Sequence, residues 1–248
     1  EKQRMLNSAH ITCDFLGLKA GDTALLCMPL DYIAGKMVVV RSIERNLRLL
    51  SVTPSGHPLS DHSLSEAGIS NEEITFAAMV PLQVYNSLQV PKERERLRRI
   101  HHLIIGGGAV DDKLSAALQD FPNAVWSTYG MTETLSHIAL RRLNGPDASE
   151  WYKPFDGVKV WLNEEGCLVI DAPAVCSHPL VTNDRAKILP TNTKEGLNTP
   201  CFRILGRKDN VIDSGGIKIQ IEEVEHLLKS SLTADFAITS CPDERFGE

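Results

Sequence analysis

The sequence predicts an α/β protein in which a layered part made of a sheet and helices is followed by a smaller, barrel-like β-rich part. Over the first 150 residues, apolar residues at helical spacing alternate with short β-branched runs, as in βαβ units with a largely parallel sheet. After about residue 146 the helical spacing ends and turn residues become frequent. We therefore expect three parts: 1–150, a β-rich subdomain over 151–206, and the start of a mobile α+β unit over 207–248.

The individual elements follow from the same patterns. A helix is predicted over the first 16 residues, and the predicted strands of the first part are 23–28, 49–53, 74–79, 101–105 and 124–128. Helices are predicted over 34–47, over the charge run 92–99 and up to residue 121, with Asp111 or Asp112 as the cap. Later elements are a hairpin of 158–162 with 167–171, a strand from 204 into a linker, a helix over 221–228 and a strand over 236–240.

Composition narrows the range of functions. The chain has 248 residues, of which 42% are hydrophobic, so it can bury a substantial core. Its 26 basic and 32 acidic residues give a net charge of −6, which disfavours binding to nucleic acid or to an anionic membrane. No apolar run is long enough to span a bilayer, and the six cysteines form no CxxC pair. We expect a cytoplasmic protein with reduced thiols, without membrane insertion.

The run 127–134, with the sequence STYGMTET, carries the clearest chemical pattern. A predicted strand delivers the aromatic ring of Tyr129, Gly130 permits a sharp turn, and the hydroxyl of Thr132 and the carboxylate of Glu133 follow. This set suits a nucleotide, because Tyr129 can lie against a purine and Glu133 can hold Mg²⁺ together with phosphate. Taken alone, the run equally fits a strand followed by a short capped helix.

This run resembles the YGxTE motif of the adenylate-forming superfamily, which comprises acyl-CoA synthetases, luciferases and the adenylation domains of peptide synthetases. Three further matches occur in the same order. The sequence GGGA at 106–109 resembles the GGA turn of the superfamily, Asp184 resembles its TGD aspartate, and GRKD at 206–209 resembles its GRxD hinge. The resemblance covers essentially the whole chain, and four ordered matches are far more specific than one.

The resemblance implies roles for particular residues. Thr132 and Glu133 would be catalytic, with Glu133 as the Mg²⁺ ligand, Asp209 would be the hinge, and Gly215 and Gly216 would lie near CoA. The implied nucleotide-binding residues are Gly107, Gly108, Ala109, Thr128, Tyr129, Gly130, Met131, Asp184 and Arg207.

The acid that is activated depends on the segment 28–41, which resembles the PLFHxSG segment of the acyl-CoA ligases. An arginine six residues after the glycine, here Arg41, resembles the o-succinylbenzoate-CoA ligases of menaquinone biosynthesis. Their substrate has two carboxylates, so Arg41 or Lys36 would meet the one that does not react. Tyr32 stands where the superfamily usually has histidine, and Gly106 would border the acyl pocket. The alternative is a helix start with two solvated cations.

The implied activity is that of an AMP-forming acid-CoA ligase, most like o-succinylbenzoate-CoA ligase. ATP and CoA would be its substrates and Mg²⁺ its cofactor. A homodimer is possible by the same resemblance. The glycine-rich phosphate loop and the late catalytic lysine of the superfamily are absent, so we expect a fragment that is inactive by itself. Alternatives are another acyl-CoA ligase, an amino-acid adenylation domain, and a non-catalytic nucleotide-binding or interaction module. An NAD-dependent dehydrogenase is disfavoured, because Asp111 replaces the last glycine of GxGxxG.

Overall fold

The computed structural model describes residues 2–66, 74–189, 200–214, 217–229, 231–232, 234, 236–239 and 241. The chain forms two compact units. The first contains residues 1–157 and 172–177, and the second contains residues 158–171 and 178–248.

A seven-stranded mixed sheet forms the centre of the first unit. Its strands are β1 (Thr23–Leu26), β2 (Arg48–Ser51), β3 (Phe76–Met79), β4 (His102–Ile105), β5 (Ala124–Gly130), β6 (His137–Arg142) and β7 (Lys153–Pro154). Their order is β2-β1-β3-β4-β5-β6-β7, with parallel pairing up to β5 and antiparallel pairing from β5 to β7. Strands β1 and β3 are fully buried and, apart from Thr23, apolar, as expected for strands covered on both faces.

Six helices accompany this sheet in the described part of the first unit. They are α1 (Lys2–Leu16), α2 (Ile33–Arg45), α3 (Ser63–Glu66), α4 (Pro81–Gln89), α5 (Pro91–Arg99) and α6 (Asp112–Leu118). Helices α1 and α2 pack against each other, and the core contains Ala9 and Cys13 from α1 with Met37 and Val38 from α2. The carboxylate of Asp111 accepts the Leu114 amide at 2.7 Å, which confirms the predicted cap of α6.

The second unit contains an antiparallel sheet of β8 (Lys159–Leu162), β9 (Cys167–Asp171), β10 (Leu180–Ile188) and β11 (Phe202–Arg207), in the order β11-β10-β9-β8. Strands β8 and β9 form the predicted hairpin, whose turn is closed by the Asn163 side chain accepting the Cys167 amide at 2.8 Å. A two-stranded sheet of β12 (Val211–Ser214) and β13 (Ile217–Gln220) precedes α7 (Ile221–Lys229).

The mixed α/β class with a separate β-rich sheet is confirmed. The predicted strand at 236–240 is wrong over its described residues, because 236–239 form no strand. There the amide of Ile238 donates to the Glu225 carboxylate at 3.4 Å instead of joining a ladder. The boundaries predicted at 150 and 206 stay predictions. Among the residues that the structure describes, no helix combines the length and the apolar character needed to cross a bilayer.

Candidate functional site

A cavity of about 270 Å³ lies at the carboxyl ends of β1, β3, β4 and β5 in the first unit. In open α/β sheets this edge is the usual place for ligands, because the loops that follow the strands meet there. The lining residues are Met28, Ile33, Ala34, Arg41, Ala78, Met79, Val80, Ile104, Gly106, Gly107, Thr128, Gly130, Met131, Thr132, Leu135, Ser136 and His137. The lining is mostly apolar, with a few hydroxyls and one buried cation, so it suits a ligand with an apolar body and an anionic group.

Two of the predicted motifs meet in this cavity. Gly106 follows β4 directly, and its amide donates to the carbonyl of Met79 at the end of β3, at 3.1 Å. A Cβ atom at position 106 would lie only 2.4 Å from the hydroxyl oxygen of Thr128 on β5. The absence of a side chain at Gly106 therefore allows the glycine-rich turn to approach the start of the YGMTE run.

The turn after β5 is held closed by Thr134 and Gly130. The hydroxyl of Thr134 accepts the Met131 amide at 3.0 Å and lies 2.7 Å from the carbonyl of Ser136. A Cβ atom on Gly130 would lie 2.4 Å from that same carbonyl oxygen. Leu135 takes a left-handed conformation with φ of 63°, which brings the chain back into β6. Sequence reasoning gave Thr134 no role, although its buried hydroxyl fixes the geometry of the turn.

Arg41, on α2, is the cation of the cavity. Only 2% of it is exposed, so the alternative of a solvated cation is wrong for this residue. Its Nη2 donates to the hydroxyls of Ser136 at 2.7 Å and Thr12 at 3.4 Å, and the Phe76 ring lies 6.0 Å away. Its Nε is buried and has no hydrogen-bond partner within the described part of the chain. Burial lowers the pKa of Arg41 to about 10, so the group stays cationic at neutral pH.

Three residues around Arg41 were not predicted from the sequence. They are Thr12 on α1, Ser136 in the turn and His137 at the start of β6. The imidazole of His137 lies between the two hydroxyls, with Nε2 at 3.1 Å from Thr12 Oγ1 and Nδ1 at 3.2 Å from Ser136 Oγ. The signal for Ser136 and His137 was their place a few residues after the YGMTE run, whereas Thr12 carried no signal.

Several other predicted residues lie outside the lining of the cavity. Tyr32 and Lys36 are exposed, and so are Gly108 and Ala109 in the glycine-rich turn. Tyr129, on β5, is half-buried, and its ring makes a tilted contact with Tyr152 at a centroid distance of 5.8 Å.

Glu133 is exposed, and its backbone carbonyl accepts the Cys176 thiol at 3.0 Å. No group of three or more His, Cys, Asp or Glu side chains suited to a metal occurs among the described residues. A single exposed carboxylate fits Mg²⁺ only where phosphate oxygens complete the coordination.

Asp184 and Arg207 lie in the second unit as register partners on β10 and β11. Asp184 is next to irregular pairing on both sides of β10, and bulges of this kind re-aim side chains near functional sites. The exposed guanidinium of Arg207 donates to the carboxylate of Asp209 at 3.0 Å and 2.8 Å. Arg207, predicted to bind the nucleotide, and Asp209, predicted to be the hinge, therefore form an ion pair. Gly215 and Gly216 lie outside the described residues.

The comparison with protein families assigns this architecture. Residues 2–173, which include the whole cavity, match the model of the AMP-binding enzyme family. The chain belongs to the AMP-binding enzyme family. Among solved structures of AMP-binding enzymes and their relatives, an acyl-CoA synthetase (AMP-forming)/AMP-acid ligase II-like protein from Dyadobacter fermentans is 33% identical, with a TM-score of 0.73. That alignment covers 99% of this chain and 67% of the other.

Two further relatives are more distant. A 2-succinylbenzoate--CoA ligase of Bacillus cereus (strain AH820) is 26% identical over 254 residues, covering 94% of this chain and 51% of the relative. The o-succinylbenzoate CoA synthetase of Bacillus subtilis in complex with the acyl-adenylate OSB-AMP shares the fold, with 21% identity, a TM-score of 0.74, and coverage of 99% of this chain and 53% of that chain. The chain thus spans about half the length of the curated relatives it matches.

Proposed function

We propose that the chain is the acid-binding and part of the nucleotide-binding portion of an AMP-forming acid-CoA ligase, and that its acid is o-succinylbenzoate or a similar aromatic dicarboxylate. In this reaction a carboxylate oxygen attacks the α-phosphorus of ATP, and the bond to pyrophosphate breaks. The thiolate sulfur of CoA then attacks the acyl carbon, and AMP leaves. The names of the AMP-binding relatives support this reaction class.

One observation carries the choice of acid: Arg41 is a buried cation whose described partners are all neutral. Its side-chain hydrogen bonds go to two hydroxyls, and none of the described residues is a partner for the buried Nε. A buried charge is costly unless a counter-charge and hydrogen bonds compensate it. An anionic group of a ligand would supply both, and the planar guanidinium fork matches a carboxylate.

The shape and polarity of the cavity support a second carboxylate on an apolar body. Met28, Ile33, Ala78, Ile104 and Leu135 line it, and its volume of about 270 Å³ lies near the lower end of small-molecule pockets, as a small acid requires. The reacting carboxylate of such an acid would lie toward the YGMTE run, where Thr132 lines the same cavity. The second carboxylate would bind Arg41.

In the first unit, the hydroxyl of Thr128 and the backbone of the glycine-rich turn would contact AMP. In the second unit, the roles implied by the family resemblance are hydrogen bonds from the ribose hydroxyls to Asp184 and binding of the phosphate side by Arg207. Mg²⁺, bound by Glu133 together with the phosphate oxygens of ATP, would neutralise charge when ATP is attacked. The work of the protein is mainly positioning and charge stabilisation, because two anions must approach each other.

Pyrophosphate release and thioester formation by the protein from the complete reading frame test this proposal. The acids compared are o-succinylbenzoate, benzoate, a fatty acid and several amino acids, each with ATP, Mg²⁺ and CoA. We expect the highest kcat/KM with o-succinylbenzoate, and an acyl-CoA product. Pyrophosphate release with amino acids alone, or release with none of these acids, would contradict the proposal.

A further inference from the structure

The partners of Arg41 form a closed hydrogen-bonded ring with His137. Nη2 of Arg41 contacts the hydroxyls of Ser136 and Thr12, and the imidazole of His137 contacts the same two hydroxyls from the other side. His137 is buried, and its ring also packs on Phe155 at a centroid distance of 5.6 Å. The guanidinium and the imidazole are therefore coupled through both hydroxyls that hold the guanidinium.

Only one arrangement of protons satisfies this ring when the imidazole is neutral. The hydroxyl of Thr12 donates to the carbonyl of Ser8 at 3.0 Å, so toward its other neighbours Thr12 can only accept. It accepts from Nη2 of Arg41 and from His137, which fixes the imidazole proton on Nε2. Nδ1 is then an acceptor, and the hydroxyl of Ser136 donates to it. The lone pairs of Ser136 remain available to Arg41.

Two features keep the imidazole of His137 neutral. Burial, with a smaller contribution from the charge of Arg41, moves the pKa of His137 well below its ordinary value. Among the groups that face the ring, Thr12, Ser136 and Phe155 carry no charge. Among the described residues that line this cavity, Arg41 is thus the one cation at neutral pH.

We infer that His137 is a positioning residue for the second anionic group of the acid. In its Nε2–H tautomer it donates to the Thr12 hydroxyl and accepts the proton of the Ser136 hydroxyl, so both hydroxyls are held with a lone pair toward Nη2 of Arg41. The remaining donors of the guanidinium are then left for the ligand. His137 touches no reacting atom in this role, and it determines specificity through the orientation of Arg41. This inference rests on the proposed function, because the ligand is taken to be a dicarboxylate.

The arrangement predicts selectivity rather than general affinity. An acid with the same skeleton but without the carboxylate that faces Arg41 gains nothing from the oriented fork. Loss of His137 or of the Thr12 hydroxyl should therefore lower the affinity for the dicarboxylate and leave the monocarboxylate unaffected. A purely structural role would lower both affinities together.

The experiment uses the 248-residue chain with two measurements. In the ligand-free protein, ¹⁵N NMR of the imidazole identifies its tautomer. Calorimetry then gives the affinity ratio of o-succinylbenzoate to its two monocarboxylate analogues, 3-benzoylpropionate and 2-butyrylbenzoate. The variants are His137→Leu, His137→Gln and Thr12→Val. Ser42→Ala is the matched control, because the buried hydroxyl of Ser42 donates to the carbonyl of Val38 and to no other described residue.

We expect the Nε2–H tautomer. The affinity ratio against one analogue should fall about tenfold in Thr12→Val, which loses a hydrogen bond to the charged guanidinium, and about two- to tenfold in His137→Leu, which loses the neutral hydrogen bonds that orient the two hydroxyls. His137→Gln, whose amide keeps a donor and an acceptor, should retain part of the ratio and covers the case in which His137→Leu does not fold. An Nδ1–H tautomer, or unchanged ratios in folded variants, would overturn the inference. If Arg41→Gln also leaves the affinity ratios unchanged, Arg41 does not bind the second carboxylate, and the result contradicts the proposed function. The tautomer of His137 then remains the test of the hydrogen-bonded ring.

Discussion

Asp184 on β10 and Arg207 on β11 face each other as register partners on adjacent antiparallel strands. Two residues 23 positions apart in sequence are therefore brought to one place by the second unit alone. The guanidinium of Arg207 is at the same time ion-paired with Asp209. This arrangement joins the predicted ribose ligand, the predicted phosphate ligand and the predicted hinge in one cluster.

From this cluster we predict that Arg207→Ala and Asp184→Asn each weaken AMP binding by about tenfold or more, because each loses hydrogen bonds between charged and polar groups worth about 1.5–3 kcal/mol. Calorimetry of the chain with AMP measures the effect. Lys187→Ala, which removes an exposed charge from the same strand, should leave AMP affinity unchanged. Equal affinities in all four proteins would remove these two residues from the nucleotide site.

Gly130 supports a second prediction, on stability. A Cβ atom there would lie 2.4 Å from the carbonyl oxygen of Ser136 and 2.5 Å from the Cα of His137, both of which are backbone atoms. Gly130→Ala should therefore lower the free energy of unfolding by about 1–3 kcal/mol, as overpacking does elsewhere. Urea denaturation measures it. The control is Gly56→Ala, whose Cβ would meet only the movable side-chain amide of Asn86. If Gly130→Ala lowers the free energy of unfolding no more than this control does, the turn after β5 can relax around a side chain, and the prediction is wrong.

The buried imidazole of His137 gives a prediction on pH. In the folded chain its pKa lies well below the ordinary value near 6.5, chiefly because of burial. As the pH falls below about 6.5, the unfolded chain takes up a proton that the folded chain refuses, so stability is lost down to the lower folded pKa. Above about 6.5 both states are neutral, and His137 contributes no pH dependence.

The free energy of unfolding of the wild type should therefore fall from pH 7 to pH 5 more steeply than that of His137→Gln. The difference in slope can approach about 1.4 kcal/mol per pH unit within the window. Urea denaturation at several pH values measures both slopes, and His62→Gln, at an exposed position, serves as the matched histidine variant. Identical slopes for wild type and His137→Gln would mean that the folded and unfolded chains take up the proton of this imidazole over the same pH range, which contradicts the lowered pKa.

The sequence predicts the strands and the order of the motifs well, because these depend on local patterns. Buried β-branched and apolar runs predict β1, β3 and β4 within a few residues, and Asp111 marks the start of α6. Antiparallel β6 was missed, since it lies directly after a motif and no separate turn signal precedes it. The strand predicted at 236–240 is wrong over the described residues 236–239, because a strand requires a partner, which local sequence does not specify.

The candidate site likewise contains some residues that local motifs predict and others that only the tertiary structure reveals. Gly106, Thr128 and Thr132 were predicted from motifs, and they line one cavity. Burial of Arg41 could not be predicted, because it depends on α1, which packs on α2 and supplies Thr12. Hydrogen bonds between residues more than 100 positions apart, such as that of Thr12 with His137, leave no local pattern in a single sequence.

The affinity of the chain for o-succinylbenzoate, compared between wild type and Arg41→Gln, tests the central claim most directly. Calorimetry at pH 7.5 is carried out with this dicarboxylate and with 3-benzoylpropionate and 2-butyrylbenzoate. We predict that Arg41→Gln weakens o-succinylbenzoate binding by about tenfold or more, and that one of the two monocarboxylates binds both proteins equally. If all three acids lose affinity by the same factor, or if none does, Arg41 does not bind the second carboxylate and the proposed substrate class is wrong.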